Sequence, residues 1–255
     1  MNRWLQGLYA AAVYAFLYAP LAIVAVFSFN SSKYSLAWKG FTLDWYVKLW
    51  HNAGLMTAAL NSLVIAACAA TLATLLGTVA AFILHQYRFP GRRLLFGTLF
   101  VMMMSPDIVI AISLLLLFLA LALPLGFTTL LFAHAVLCVP FVATTVLSRF
   151  HGFPTDIVDA ARDLGASEYQ VFRSIILPLA APAVVGGWLL SFTLSLDDVI
   201  ISFFTTGPDF EVLPLRIYSM VRLGIKPDVN ALCVVMMAIT VLALVLSRKL
   251  LKERK

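Results

Sequence analysis

Asp159-Ala160-Ala161-Arg162-Asp163-Leu164-Gly165 is followed, after nine intervening residues, by Ile175-Ile176-Leu177-Pro178. This is the longest charged stretch between two apolar spans, so it reads as a structured polar segment at a membrane surface. From Asp156 to Leu164, the residues Ile157, Ala160, Ala161 and Leu164 share one helical face. Gly165 stands where a helix C-terminus needs a positive φ. Ser167 with Gln170 three residues later is a capping-box pattern that opens a second helix. Pro178 is expected to close the segment ahead of the next apolar span. Two short helices with a small-residue face can dock into a groove on another protein.

Working outward, composition sets the class. Hydrophobic residues make up 62% of the 255 and charged residues 12%, about half the charge of a soluble domain. Mean hydropathy is +0.98. Apolar runs long enough to cross a bilayer, about 20 residues at 1.5 Å each, recur along the whole chain. Six are read: Leu8–Phe29, Leu60–Leu84, Leu94–Leu119, Phe127–Leu147, Leu179–Phe204 and Val229–Leu246. The fold class is therefore all-α integral membrane, with residues 1–255 as one transmembrane domain and 148–178 as its longest charged loop. The first run is longer than a signal-peptide core of roughly 7–15 residues and is read as an uncleaved helix. Cys68, Cys138 and Cys233 all fall inside spans and read as packing residues.

Orientation follows from loop lysines and arginines. Arg3, Arg88, Arg92, Arg93, Arg149, Arg162, Arg173, Arg248, Lys249, Lys252, Arg254 and Lys255 fall on one side. Lys33, Lys39, Lys48, Arg216, Arg222 and Lys226 fall on the other. Both termini and the Asp159 loop are thus expected in the cytoplasm. The net charge of +6 comes largely from this bias, and a nucleic-acid partner is not indicated. No Gly-x-x-x-x-Gly-Lys-Ser/Thr phosphate loop occurs, no Cys/His pair has metal-ligand spacing, and nothing reads as a catalytic triad.

The ionisable groups inside the spans share one sign: Asp107, Asp197 and Asp198. A carboxylate at mid-bilayer depth costs roughly 2.5–3.5 kcal/mol on insertion scales, so each is a functional candidate. Asp107 follows Ser105-Pro106, where it can instead cap a broken helix. Ser191, Ser195, Asp198 and Ser202 recur at spacings of 4, 3 and 4 and form one polar stripe on a continuous helix, headed by Trp188. A serine stripe alone reads equally as a helix seam; with Asp198 it reads as the lining of a pathway. Asp197 points about 100° away and is read either as a second pathway carboxylate or as serving the interface with a partner subunit. His134 reads as a hydrogen-bonded core histidine. Carboxylates, serines and aromatic rings suit an amine cation, whereas an anion calls for Arg, Lys or helix N-termini.

The Asp159–Pro178 spacing resembles the signature loop of bacterial ABC-importer permeases, which have Glu more often at the first position. Met103-Met104-Ser105-Pro106-Asp107-Ile108-Val109, Leu190-Ser191-Phe192-Thr193-Leu194-Ser195-Leu196-Asp197-Asp198-Val199 and Leu213-Pro214-Leu215-Arg216-Ile217-Tyr218-Ser219-Met220-Val221 look like the second permease subunit of spermidine/putrescine importers. Asn30-Ser31-Ser32 and Val229-Asn230-Ala231-Leu232 agree. The resemblance implies a type I importer in the bacterial inner membrane. Two homologous permease subunits would form the channel, and two ATPase subunits would carry ATP and Mg on their own chains, leaving this chain without a cofactor. An extracytoplasmic binding protein would deliver the polyamine. Asp159, Ala160, Ala161, Gly165, Ile175, Leu177 and Pro178 would couple to the ATPase. Two alternatives stand beside it: a permease for another cationic or small solute, and an ion-coupled secondary transporter using Asp107, Asp197 and Asp198.

Overall fold

A bilayer offers no water to backbone N–H and C=O groups, so long apolar runs are forced into helices. The computed structural model describes residues 3–32, 37–150, 160–222 and 227–252, with 3, 227 and 243–252 as backbone alone. Its main elements are α1 (Arg3–Phe27), α2 (Asp44–Trp50), α3 (Ala53–Gln86), α4 (Arg92–Met104), α5 (Asp107–Ala120) and α6 (Phe127–Phe150). These are followed by α7 (Glu168–Val171), α8 (Leu177–Asp197), α9 (Ile200–Thr205), α10 (Leu213–Arg222) and α11 (Pro227–Lys252). Asp156, Ile157 and Asp159 lie outside the described residues.

Among the described residues, four helical stretches are long and apolar enough to cross a membrane: Trp4–Phe27, Ala53–Gln86, Phe127–Phe150 and Glu168–Asp197. The α4–α5 pair makes five if taken as one span. The sequence leads one to expect six. The last expected span lies in α11, whose side chains are described as far as Leu242 and which is apolar over Asp228–Leu242.

Two expected spans are not single rods. Leu94–Leu119 divides into α4 and α5, bent by 113°. Pro106 has no N–H to give the helix and holds its neighbour in extended backbone, with Ser105 at ψ 138°. Leu179–Phe204 ends its first helix at Asp197, because Asp198 adopts φ −67° and ψ 127°. In the other direction the helix runs further than expected. Pro178 does not close the charged segment: Glu168 to Asp197 is one continuous 30-residue helix. Its ladder widens to a π turn over Phe172–Ile176, where the Leu177 N–H reaches Phe172 O. That widening sits just before Pro178, which has no N–H for an ordinary α bond.

The chain divides into two compact units, Ala58–Leu215 and Met1–Thr57 with Arg216–Lys255. In the first, α6 is the core helix: Leu130, Ala133, His134, Cys138, Val142, Ala143, Val146 and Phe150 are all buried. Glycine lets two helices close on it. A Cβ on Gly77 of α3 would stand 2.7 Å from Val142 Cβ, and one on Gly187 of α8 would stand 3.2 Å from Val142 Cγ1. Close backbone approach through small residues is how membrane helices pack when no hydrophobic drive separates helix from lipid. Cys138 is buried as expected, whereas Cys68 is exposed. In the second unit, α1 and α2 lie against α11, and no residue of the apolar window of α1 is buried. A helix apolar all round and unburied in its own chain faces lipid or another subunit. Asn30 organises the segment after α1. Its amide donates to Ala37 O at 2.7 Å and accepts from Lys39 N at 2.9 Å, while its carbonyl accepts from Trp45 Nε1 at 2.7 Å.

Candidate functional site

Residues 160–163 are helical and end in a complete Schellman turn. Gly165 takes φ 85°, its N–H donates to Arg162 O at 2.8 Å, and Ala166 N–H donates to Ala161 O at 3.0 Å. Ser167 then starts α7 with both halves of a capping box: Gln170 N–H donates to Ser167 Oγ at 3.3 Å and Ser167 N–H to Gln170 Oε1 at 2.8 Å. Arg162 braces the two turns by donating from Nε to Glu168 Oε1 at 2.9 Å and from Nη2 to Oε2 at 3.2 Å. The ion pair is exposed and contributes about 0–1 kcal/mol, so the two caps carry the shape.

One face of this segment is anchored and the other is free. Val171 and Ile176 are buried with Leu84, Leu147 and Phe150, while Ala161, Ala166 and Phe172 pack on that cluster. Ile175 and Leu177 are half-buried, and Ala160 and Pro178 are exposed. Leu164 is 88% exposed and Tyr169 66%. These two large apolar side chains mark the tip. Tyr169 was missed from the sequence; its signal is an aromatic residue in the first turn after the Ser167 cap, within a polar segment.

The polar stripe is built differently from expectation. The four residues lie on two helices, with a break between them. Asp198 follows the last turn of α8 and caps α9: its carboxylate accepts from Ser202 N–H at 2.7 Å and Ile201 N–H at 3.3 Å. A carboxylate also suits the positive end of that short helix. His134 of α6 ties the break together. Its Nδ1 lies 2.6 Å from Ser195 Oγ, and its Nε2 lies 3.0 Å from Ser202 Oγ and 3.4 Å from Asp198 Oδ2. His134 is 1% exposed and the Asp198 side chain 7%. Ser191, one turn earlier, is buried, its carbonyl accepts from Cys138 Sγ at 3.5 Å, and its own hydroxyl is unpaired. His134 is thus the hydrogen-bonded core histidine the sequence suggested, and it gathers Ser195, Asp198 and Ser202.

The remaining candidates stand apart from that network. Asp197 and Asp107 are exposed. Asp107 is the first residue of α5, and no side chain caps that helix. Trp188 donates from Nε1 to Thr71 Oγ1 of α3 at 3.1 Å and stacks on Phe192 at 5.3 Å. Past the break, α9 packs on α5 through Ala111, Phe118 and Ile201, so the two interrupted helices meet beyond their interruptions. Among the described residues no group of His, Cys, Asp and Glu is placed to hold a metal ion.

Comparison with known proteins adds to this geometry. Residues 73–254 match the family described as binding-protein-dependent transport system inner membrane component. The chain is 50% identical over 254 residues to the spermidine/putrescine transport system permease protein PotC of Escherichia coli K12, covering 100% of this chain and 96% of that one. It is 49% identical to the protein of the same name from Haemophilus influenzae, covering 99% of each. A solved bacterial ABC transporter involved in the import of the acidic polysaccharide alginate shares the fold at TM-score 0.78 and 17% identity, covering 96% of this chain and 94% of that one.

Proposed function

The chain belongs to the family of binding-protein-dependent transport system inner membrane components, and on that premise we propose the reading that follows. It is the permease of a spermidine/putrescine ABC importer, a transporter subunit and not an enzyme. ATP and Mg are held by a separate ATPase chain, and this chain carries no cofactor. The observation that supports coupling is one rod: the capped docking turn and the Asp197-Asp198 break are the two ends of the helix Glu168–Asp197. At 1.5 Å per residue the rod is about 45 Å long. Movement imposed on Tyr169 by the ATPase is carried along this helix to the break, and Ala160 and Leu164 join it through the capped turn at Gly165.

At the break the expected pathway residues divide by role. Asp198, Ser195 and Ser202 shape the wall through His134, with Ser191 buried one turn earlier, while Asp197, Asp107 and Trp188 present charge and ring surface to the cargo. Two exposed carboxylates fit a polyamine, whose ammonium groups each gain a charge-assisted hydrogen bond for lost hydration. The two compact units act as one permease domain of six spans, with both termini and the docking loop cytoplasmic. A homologous permease subunit completes the channel and covers apolar surface such as that of α1. Asp159, beside Ala160, joins Ala160, Ala161, Gly165, Ile175, Leu177 and Pro178 in the coupling segment, and an extracytoplasmic protein delivers the polyamine.

The test is uptake of labelled putrescine and spermidine by membrane vesicles holding the whole importer, with ATP supplied inside. ATP-dependent accumulation of either amine is expected. Uptake driven by a proton or sodium gradient without ATP would establish the secondary-transporter alternative. ATP-dependent uptake of some other cation, with neither amine taken up, would overturn the cargo.

A further inference from the structure

The connection from α3 to α4 carries more positive charge than its surroundings neutralise. Arg88, Arg92 and Arg93 fall within six residues, and among the described residues no carboxylate pairs with any of them. Gly91, at φ 94°, turns the chain into α4, and no side chain caps that helix. Arg92 is fixed in place, donating from Nε to Leu84 O at 3.0 Å. That bond satisfies a carbonyl of the last turn of α3 and leaves the other guanidinium donors available.

A cavity of about 260 Å³ opens beside it, lined by His85, Arg92 and Arg93 on one side and Leu84, Phe96 and Leu147 on the other. A second hollow of about 360 Å³, which includes Arg88, shares Arg92 and Arg93. The first is below the roughly 300 Å³ at which pockets for drug-sized ligands begin, a size for a headgroup. The mixed lining suits an amphiphile. On α4 a tilted aromatic pair, Phe96 and Phe100 with ring centroids 4.8 Å apart, continues from the cavity, with exposed Leu94, Val101 and Met104 on the same helix. A soluble anion has no use for that apolar track, and an acyl chain does. The pocket lies at the docking-loop end of its unit: the rings of His85 and Phe150 meet at 5.4 Å, and those of Phe82 and Phe172 at 4.9 Å.

We propose that His85, Arg92 and Arg93, with Arg88 at the rim, bind the phosphodiester of an anionic phospholipid from the adjoining leaflet, its acyl chain lying along Phe96 and Phe100. Basic pockets between membrane helices recognise such headgroups. The site would tie the α3–α4 turn, and so the packing beneath the docking segment, to lipid composition.

The experiment purifies the intact importer from nanodiscs of phosphatidylcholine and phosphatidylglycerol and counts retained lipid by native mass spectrometry. The wild type is expected to retain phosphatidylglycerol over phosphatidylcholine. An Arg88→Gln/Arg93→Gln variant, whose side chains are exposed, should lose that preference by about thirtyfold, from the usual increment per surface cation. Arg92 is left intact because it holds Leu84 O. Equal retention of both lipids by the wild type, an unchanged preference in the variant, or displacement of the lipid by millimolar inorganic phosphate would each overturn the proposal. The wild-type comparison decides the matter even if the variant fails to assemble.

Discussion

Replacing Asp198 and Asp197 one at a time separates wall from pathway. Asp198→Ala removes the acceptor for Ser202 N–H at 2.7 Å and Ile201 N–H at 3.3 Å, and leaves His134 without its carboxylate neighbour. Loss of an N-cap costs about 1 kcal/mol, and hydrogen bonds to a charged group are worth about 1.5–3 kcal/mol. These describe the same bonds and are not summed, so the expected loss is about 2–3 kcal/mol. For a chain of this size that lowers the melting temperature by about 4–12 °C. Asp198→Asn keeps an acceptor of similar capping strength and should fall between wild type and Ala. Asp197→Asn, on an exposed side chain, should change stability by less than about 0.5 kcal/mol. Its uptake of polyamine should nonetheless drop about tenfold or more, the equivalent of one charge-assisted bond at 1.4 kcal/mol per decade. The assay pairs thermal unfolding of the detergent-solubilised complex with labelled spermidine uptake in vesicles. If Asp198→Ala melts like wild type while uptake vanishes, Asp198 is a cargo group and the cap is dispensable. If Asp197→Asn transports normally, the division of roles fails.

Gly165→Val should cost roughly 1 kcal/mol or more, since φ is 85° and a β-branched residue disfavours it. A Cβ there meets nothing within 4 Å, so the defect is conformational, and Gly165→Asn should retain most ATPase stimulation in the reconstituted importer. Equal loss in both variants would point to a steric contact with the partner. Gly77→Ala drives a Cβ to 2.7 Å from Val142 Cβ and should destabilise by about 1–3 kcal/mol; a melting temperature equal to that of the wild type would refute the close approach of α3 to α6. Leu164→Asp should leave thermal stability unchanged, because the side chain is 88% exposed, while weakening co-purification of the ATPase. Undiminished co-purification would remove Leu164 from the docking face.

Much of the docking segment was legible because its signals are local. A positive-φ glycine and a Ser-x-x-Gln box each act within five residues, and both take the geometry their spacing requires. The apolar runs likewise fixed the all-helical membrane class, since lipid leaves the backbone no alternative. The central histidine was readable too, as a lone imidazole on an apolar helix needs partners.

What spacing cannot reveal is where a long apolar run stops being straight. The stripe Ser191–Ser195–Asp198–Ser202 has helical periodicity, yet the helix ends at Asp197. No proline marks that spot. The break depends on His134, 64 residues earlier in the sequence, bridging serines on both sides of the gap, and on Asp198 finding a second helix end to cap. Pro178 misled in the opposite sense: its missing N–H looked like a stop, but a π turn absorbed it and kept the rod continuous. Local sequence determined which segments are helical and how their ends are capped. Tertiary packing alone decided which carboxylate is buried as a cap and which is exposed, because burial belongs to the neighbours a side chain acquires and not to its own position in a repeat.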